Sequence, residues 1–497
     1  MDFIRNFPFF TIIISLLSAV ISSVLSHKMA RRFSLFSELT VLSLSICTLI
    51  YTVDKGESFI YIMGHFTAPW GNEIRIGILE SLFAVLFTTI LILSVRGGLR
   101  HLYEDLCSDK INLYYVMINL IQAALLALVY TNDIFTGYVF IEICTLASAG
   151  LLMIRETGRT TIAAVRYMIF NLLGSGLFLM GIIIMYDITG HLLMENMREA
   201  IIEIVNNGQY MLPLTISIAL ILIGLGIKSG LFPFFFWMPD TYGCATVASS
   251  SIISGIISKG YIFLLLKIIY RVIGFDVISK TNILELLFIF GLLGMIIGSI
   301  CAIKENNILK MVAFSSAAQI GYIYMGIGLG TQAGIVAAIF HIFAHAITKP
   351  MLFISSSGLT DASDGKKQFS ALQGSFYRNR IAGFAFIIGS VSMVGVPIFA
   401  GFISKMLFAF AGFGLTNKTL PTLITLAIST ILNSIYFLRT AIRIVNTQDV
   451  STETFISFKD QKSFAFILLL FISLNILIGL HPQPIIDLIE NGLSMFA

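Results

Sequence analysis

Charge is scarce in this chain of 497 residues: Asp, Glu, Lys and Arg make up 12% of it, and hydrophobic residues make up 57%. Soluble domains carry roughly 25% charged residues, so a soluble protein of this size could not cover its surface. Intrinsic disorder is excluded as well, because disordered chains have low hydrophobicity. The composition therefore predicts a polytopic membrane protein.

Proline and cysteine are also rare, with 10 and five residues. Long apolar runs with so few prolines favour membrane-spanning helices over barrel strands. The five cysteines form no CxxC pair, so the sequence indicates neither a metal site nor a disulfide framework, and we expect no cofactor. The formal net charge of +4 comes without a basic cluster on an aromatic platform, so nucleic-acid binding is not expected.

Long apolar runs fill most of the chain. A helix needs about 20 apolar residues to cross the bilayer. Runs of this kind predict an all-α polytopic membrane protein with about 14 transmembrane helices. The runs are 9–26, 35–53, 76–97, 112–130, 133–154, 165–187, 212–236, 247–270, 283–303, 309–329, 333–356, 381–408, 421–438 and 463–482.

The distribution of Lys and Arg predicts the orientation, because cytoplasmic loops carry an excess of both. If the connection at 27–34 is cytoplasmic, 19 of the 31 basic residues lie at that surface and seven at the other. This bias predicts a multi-pass protein of the inner (cytoplasmic) membrane with both termini outside. The outer set comprises Arg5, Lys55, Arg75, Arg198, Arg271, Lys280 and Lys418.

The remaining five lysines lie within the predicted spans. A cation near the bilayer centre costs at least about 2.5–3.5 kcal/mol, so its presence needs a reason. Lys267 lies one turn from Arg271, and we expect its side chain to snorkel to the outer surface. Snorkelling is a poor explanation for Lys259 and Lys228, which lie well inside their spans, and the other two lysines of the set are Lys349 and Lys405.

Glu142 is the acidic counterpart, near the middle of the fifth run. A lone buried carboxylate is expected to be neutral, whereas beside a lysine it forms an ion pair. A Glu–Lys pair that can be separated could control proton release. When the pair separates, the buried ammonium loses the charge that stabilises it, and the proton leaves. Glu80 lies nearer the end of the third run and is a secondary candidate.

The eleventh run contains HIFAHAITKP, which places His341, His345 and Lys349 on one stripe of a single helix, about 12 Å long. Histidine is well suited to passing protons near neutral pH, so the stripe predicts a proton relay. Two alternatives remain open. The histidines could bind a metal, although no third ligand is evident, or they could bond to neighbouring helices in a structural role.

Prolines interrupt two of the runs. Pro233 and Pro239 in the seventh run, and Pro397 with its flanking glycines in the twelfth, predict broken helices. If the fourth to eighth and ninth to thirteenth runs form two groups of five, the broken helix is fourth in each. An odd number of helices inverts the second group, which is the pattern of a transporter pathway. The predicted parts are an N-terminal three-helix segment (1–111), the first five-helix repeat (112–270), the inverted second repeat (283–446) and a C-terminal helix with its tail (463–497).

Four stretches together resemble the antiporter-like subunits shared by respiratory complex I, Mrp-type cation/proton antiporters and energy-converting membrane hydrogenases. The first has the core K-x4-P-x3-W-x-P-D from Lys228 to Asp240 and continues to SGIISKGYIFLL around Lys259. The second is LKMVAFSSAAQIGY, which contains Lys310, a secondary site candidate. The others are HIFAHAITKPMLF and GVPIFAGFISK. Phe235 and Phe314 stand where the family often has His and Tyr, which places the chain nearer the Mrp D-type or hydrogenase subunits.

The resemblance implies fourteen helices in two inverted repeats, and it implies roles for individual residues. Glu142 and Lys228 would form a modulating pair and Lys259 a connecting site. His345 and Lys349 would continue the relay, and Lys405 would be its terminal site. The partners implied are other membrane subunits of the same complex, the lipid bilayer, H⁺ and, as an open alternative, Na⁺.

Several functions therefore compete. The leading hypothesis is a proton-translocating, non-enzymatic subunit of an Mrp-type antiporter or an energy-converting hydrogenase. A membrane subunit of a complex I-type quinone oxidoreductase is one alternative. A self-sufficient secondary transporter is another, because broken helices and inverted repeats are also typical of secondary transporters. A structural subunit with an inactive channel is the last.

Overall fold

The computed structural model describes residues 2–66, 71–279, 281–446 and 462–496. Two lysines of the charge count, Lys280 and Lys459, lie outside the described residues. The N-terminal part contains two long helices, a small antiparallel hairpin and the third span, which a short helix follows. These elements are α1 (Phe7–Val24), α2 (His27–Lys55), β1 (Phe59–Ile62), β2 (Glu73–Ile76), α3 (Ile78–Gly97) and α4 (Leu99–Asp105).

The first predicted five-helix group contains several short helices besides its spans. Its elements are α5 (Ile111–Tyr130), α6 (Ile134–Met153), α7 (Gly158–Thr189), α8 (Met194–Asn207), α9 (Met211–Ser229), α10 (Met238–Cys244), α11 (Val247–Ile252), α12 (Ser258–Lys267) and α13 (Phe275–Ser279). Helix α8 was not predicted as an element. It is amphipathic and buries Met194, Met197, Ile201 and Ile204, which share one face at helical spacing.

The second group and the C-terminal part follow the same plan of long helices with short ones between them. Their elements are α14 (Ile283–Lys304), α15 (Ile308–Gly328), α16 (Gln332–Asp361), α17 (Ser375–Arg378), α18 (Arg380–Val394), α19 (Ala400–Gly412), α20 (Thr419–Val445), α21 (Lys462–Leu480) and α22 (Gln483–Ser494). Helix α16 is buried from Gly334 to Thr360, whereas α7 and α20 expose apolar faces. The polar side chains of α16 therefore lie in the interior of the bundle.

Twelve segments of the described residues are long and apolar enough to cross a membrane, and they match twelve of the fourteen predicted spans. The tenth predicted span is α15, which has 21 residues but carries serines, tyrosines and Gln319. The twelfth is divided between α18 and α19, with 15 and 13 residues. The helical membrane fold is confirmed, and the count of fourteen stays a prediction.

The seventh predicted span is broken after Ser229. Gly230 adopts a left-handed conformation (φ 79°) that ends α9, and Pro233 follows where a helix would need a backbone N–H donor. The prediction for Pro239 needs a correction, because this residue lies in the first turn of α10. Proline is tolerated there, since the first N–H groups of a helix have no partner within it. Pro239 therefore starts a helix and does not end one.

The twelfth predicted span breaks at Pro397, between Val394 and Ala400. Gly395 is left-handed (φ 93°), and Ile398 adopts φ 85°, which costs a non-glycine residue about 1–3 kcal/mol. A Cβ atom on Gly401 would lie 1.9 Å from the carbonyl oxygen of Ser392, so only glycine lets the two half-helices approach this closely. The broken helix is thus the fourth of each predicted group.

The eighth predicted span contains two distortions that its sequence did not indicate. Residues Ile253–Ile257 and Ile268–Ile273 are π-helical, and α12 lies between them. Widened turns of this kind leave main-chain carbonyls available to side chains and occur frequently at functional sites.

Basic residues from distant parts of the chain gather at the ends of the bundle. Arg155, Arg159, Lys310, Lys366 and Lys367 line one cavity of about 1000 Å³. All five belong to the predicted cytoplasmic set. Residues of the predicted outer set, Arg75, Arg198 and Arg271, line a separate cavity of about 310 Å³. The two sets therefore occupy different surfaces, as the charge count requires, and the orientation itself stays a prediction.

Candidate functional site

The structure places Glu142 and Lys228 in contact. The Nζ atom of Lys228 donates to Glu142 Oε1 at 3.0 Å and to Thr145 Oγ1 at 3.0 Å. The hydroxyl of Ser175 also donates to Glu142 Oε1. The lysine side chain is fully buried, whereas 24% of the glutamate side chain is exposed. The pair is therefore buried on its basic side and open on its acidic side.

The local fold explains this position of the pair. Lys228 lies in the last turn of α9, immediately before the break, where a cation is favoured by the carbonyl ends of the helix. Helices α7 and α9 approach closely at Gly174 and Gly224. A Cβ on Gly174 would lie 2.8 Å from the carbonyl oxygen of Gly224 and 3.0 Å from Lys228 Cγ. The missing side chain thus creates the space that the lysine crosses to reach α6.

Lys259 is fully buried at the centre of the eighth span. Its ammonium donates to the carbonyl oxygen of Ser254, which belongs to the first π-helical segment, and to Ser258 Oγ at 3.2 Å. Tyr261, on the same helix, connects this region to the Glu–Lys pair: its ring lies 5.7 Å from Lys228 Nζ. The widened turn therefore supplies the acceptor that holds Lys259 in the interior.

Contacts among serine residues lie between Lys259 and Lys349. Ser254 Oγ and Ser316 Oγ lie 3.1 Å apart, and the neighbouring Ser315 accepts a hydrogen bond from Lys349 Nζ. Lys349 also donates to the carbonyl oxygen of Val312 at 3.1 Å. The Ser-Ser motif of α15 thus bridges two buried lysines that lie on different helices.

The two histidines of α16 differ in their contacts. His341 Nδ1 lies 2.5 Å from Ser404 Oγ, and its ring stacks on Tyr322 at a centroid distance of 5.4 Å. Neither ring nitrogen of His345 has a hydrogen-bond partner among the described residues. Lys259 and Lys349 both lie close enough to act electrostatically on the His345 ring. The structural alternative therefore suits His341 and leaves the buried nitrogens of His345 unexplained.

Lys405 lies on α19, beyond the break of the twelfth span. Its Nζ atom donates to the carbonyl oxygen of Val394 at 2.6 Å and to Thr430 Oγ1 at 3.0 Å. It also lies 5.7 Å from the ring centre of Tyr322, which stacks on His341. Tyrosine and histidine rings thus join Lys405 to the polar residues of α16.

The five lysines within the predicted spans share one kind of partner with a single exception. Lys259, Lys267, Lys349 and Lys405 donate to main-chain carbonyls, while Lys228 is paired with a carboxylate. Among the described residues, Lys228 is the only one of the five that forms an ion pair. A main-chain carbonyl carries no full charge, whereas an ionised carboxylate does. Glu142 therefore stabilises the charged form of Lys228 more strongly than a carbonyl stabilises the other lysines.

The expected snorkelling of Lys267 is wrong. Its side chain is fully buried, and its ammonium donates to the carbonyl oxygens of Val129, at 2.8 Å, and Thr131. These carbonyls lie at the C-terminal end of α5, where they have no partner within their own helix. The side chain satisfies them and stays in the interior.

The secondary candidates Glu80 and Lys310 lie apart from this chain of contacts. Glu80 forms a buried ion pair with Arg271 (Oε1 to Nη2, 2.5 Å) and caps the start of α3. Lys310 pairs with Asp240 at 2.9 Å, and Asp240 also binds Arg166. Both therefore have partners that explain their charge without a relay.

The sequence interpretation missed Glu38. It is 2% exposed on α2 and accepts a hydrogen bond from Ser34 Oγ at 2.9 Å. Ser34 also bonds to Asn119, which reaches Ser22, so the network joins α1, α2 and α5. An acidic residue within the predicted span 35–53 was the signal that could have identified it.

Two interrupted helices and a line of buried lysines, histidines and hydroxyls define an antiporter-like, multi-pass membrane subunit. Comparison with known proteins identifies the particular family. The chain belongs to the family described as NADH:quinone oxidoreductase/Mrp antiporter, transmembrane region, whose model matches residues 131–432. This match confirms the resemblance inferred from the four motifs.

Similar proteins come from both branches of the family. The N-type subunit of the NADH-quinone oxidoreductase of Desulforudis audaxviator is 28% identical, over 87% of this chain and 85% of that protein. The D-type subunit of the Na(+)/H(+) antiporter of Bacillus subtilis is 26% identical, again over 87% and 85%. A chain of the archaeal membrane-bound sulfane sulfur reductase has the same fold, with a TM-score of 0.87, 24% identity and coverage of 98% and 97%.

Proposed function

We propose that this protein translocates protons as a membrane subunit of a larger complex. The observation that carries the proposal is the Glu142–Lys228 ion pair beside a broken helix, followed by buried polar contacts that continue to Lys405. Buried charges are costly, so a line of them through the bundle needs a function. Proton relays are a common reason for such residues in membrane proteins.

The ion pair acts as the switch in this proposal. With Glu142 at 3.0 Å, the Lys228 ammonium is stabilised although its side chain is fully buried. When the carboxylate is protonated or moves away, the ammonium is left uncompensated and releases its proton. The exposed side of Glu142 gives a partner subunit access to the switch.

Charge repulsion then moves the proton along the relay. Lys259, His345 and Lys349 share one buried region, and each becomes positive when protonated. Repulsion at low dielectric makes full protonation of all three costly, so a proton that enters at one end favours release at the other. The serine bridge between Ser254 and Ser316 carries the proton between helices, and Lys405 delivers it beyond the second break.

The energy has to come from outside the chain. Moving one charge against 100 mV costs about 2.3 kcal/mol, and the sequence has no cysteine cluster for an electron-transfer centre. We propose that neighbouring membrane subunits supply the drive in an Mrp-type antiporter or a hydrogenase-type complex. The relatives include subunits of both an Na(+)/H(+) antiporter and a quinone oxidoreductase. We propose that the complex lies in the cytoplasmic membrane with both termini of this chain outside.

Substitution of Glu142 tests the proposal in the assembled complex. Proton uptake into inverted vesicles should fall about tenfold or more in Glu142→Gln, because the amide cannot compensate the lysine charge. Glu38→Gln is the matched control: both carboxylates accept a hydrogen bond from a serine, and Glu38 lies off the relay. Normal uptake in Glu142→Gln would refute the switch. Solute uptake by the purified chain alone in liposomes would favour an independent transporter.

A further inference from the structure

Another basic cavity lies at the start of α2, apart from the relay. It has a volume of about 600 Å³, and its cations come from two helices: Lys28, Arg31 and Arg32 from the start of α2, and Arg96 from the end of α3. Because α2 and α3 are connected through the hairpin at the opposite end, these residues meet at one surface of the bundle. Helices α2 and α3 are long and apolar enough to cross a membrane, and in that arrangement their ends lie near the level of the lipid phosphate groups.

The cations of this cavity have no carboxylate in ion-pair contact within the part of the chain that the structure describes. Among the described residues, none of the four forms an ion pair, although the field of the buried Glu38 reaches Arg96. Arg31 lies over the ring of Tyr103, 5.7 Å from its centre. Like charges that converge from two helices repel each other unless an anion lies between them.

The larger basic cavity provides a contrast. There Arg155 pairs with Asp105 at 2.6 Å, and Lys310 pairs with Asp240 at 2.9 Å. Two of its five cations are thus paired with carboxylates of the chain. Lys28, Arg31 and Arg32 also lie at the N-terminal end of α2, where the helix macrodipole disfavours cations. The smaller cavity therefore holds four cations that form no ion pair among the described residues, with Glu38 as the acid beside Arg31 and Arg96.

An apolar surface continues from the cavity along α2. Leu35 lines the cavity next to Arg32, and the exposed side chains Phe36, Leu39 and Ile46 follow on the adjoining face at helical spacing. A ligand with a phosphate and long apolar chains would contact both parts. A free phosphate would contact the basic residues alone.

We propose that this cavity binds the phosphate group of an anionic glycerophospholipid, with Arg31, Arg32 and Arg96 around the phosphate and the acyl chains along α2. Guanidinium groups suit this role because they donate paired hydrogen bonds to phosphate oxygens. The site is independent of the proposed relay, and neither inference requires the other.

Lipid retention by the purified complex tests the site. Native mass spectrometry after exchange into phosphatidylglycerol or phosphatidylcholine micelles should show phosphatidylglycerol retained and phosphatidylcholine lost. Arg31→Gln/Arg32→Gln/Arg96→Gln should bind phosphatidylglycerol about tenfold more weakly or worse. The matched control, Arg159→Gln/Lys366→Gln/Arg380→Gln, removes three exposed cations of the same predicted surface and should bind it as the wild type does.

Other outcomes have definite meanings. Equal retention by the triple variant and its control would overturn the site, and displacement of the lipid by inorganic phosphate alone would overturn the assignment to a lipid. If the triple variant fails to assemble, Arg31→Gln and Arg96→Gln are measured singly, and each should weaken binding. Wild-type binding in both single variants would also overturn the proposal.

Discussion

The ammonium of Lys405 lies 2.6 Å from the carbonyl oxygen of Val394, the residue that ends α18 at the second helix break. Lys228 lies in the last turn of α9, just before the first helix break, and its partner is the carboxylate of Glu142. The two broken helices thus hold their lysines in different ways. A carbonyl is a fixed acceptor, whereas a carboxylate can change its charge, so the first break suits a switch and the second an exit.

Lys405→Met should reduce proton uptake about tenfold or more, because the terminal proton carrier is removed. Lys418→Met is the matched control: Lys418 Nζ also donates to a helix-end carbonyl, that of Gly328 at 2.7 Å, and lies 5.4 Å from the ring centre of Phe288. Uptake by inverted vesicles, normalised to the amount of assembled complex, measures the difference. Equal rates in the two variants would remove Lys405 from the pathway.

Substitution of His345 and of His341 should have different effects on proton uptake and thermal stability. His345→Gln should lower proton uptake with little change in thermal stability, because its ring nitrogens make no hydrogen bond among the described residues. His341→Gln should lower the melting temperature of the complex, because it disturbs the contact with Ser404 and the stacking on Tyr322. The reverse pattern would assign the structural role to His345.

Close packing of α7 on α9 should control the ion pair. Gly174→Ala places a Cβ 3.0 Å from Lys228 Cγ, so the helices must separate, at a cost of about 1–3 kcal/mol. Proton uptake should fall, since Lys228 no longer reaches Glu142. Gly176→Ala, two residues further along α7, meets no atom within 4 Å and should leave uptake unchanged. Equal uptake in both variants would show that the position of α9 is not critical.

The Glu80–Arg271 pair should act in stability alone. Glu80→Gln leaves a buried guanidinium without its counter-ion, and removal of one partner from such a pair costs about 3–5 kcal/mol. The complex should therefore melt at a lower temperature, while the assembled fraction pumps normally. Glu104→Gln, in the exposed pair with Arg100, should not measurably change the melting temperature. Loss of proton uptake in the assembled Glu80→Gln complex would contradict this and indicate that Glu80 takes part in the relay.

Much of the fold could be predicted from the sequence, because lipid imposes a simple rule of length and apolarity. The breaks at Pro233 and Pro397 follow from the missing N–H of proline. The π-helical segments in the eighth span could not be predicted, since they contain neither proline nor an unusual polar run. The free carbonyl of Ser254 in the first of them is identified only from the structure, where Lys259 donates to it.

The candidate site could be predicted in its charged members and not in its connections. Buried lysines stand out because a charge in an apolar run is costly. Serine is common within helices, so nothing in the sequence marks Ser254 and Ser316 as a bridge between two helices. The sequence misled the prediction for Lys267. Its position near the helix end suggested snorkelling, but the carbonyls of α5 that accept its hydrogen bonds lie far away in the sequence.

The most direct test of the proposed relay is a double-mutant cycle on the central pair. Proton uptake by inverted vesicles is measured for Lys228→Met, Glu142→Gln and the double variant, with Lys267→Met as a buried-lysine control off the relay. We expect uptake at about a tenth of the wild-type rate or less in both single variants, with no further loss in the double variant, because the two residues act as one unit. Wild-type uptake in Lys228→Met, or independent losses that multiply in the double variant, would contradict the coupled switch.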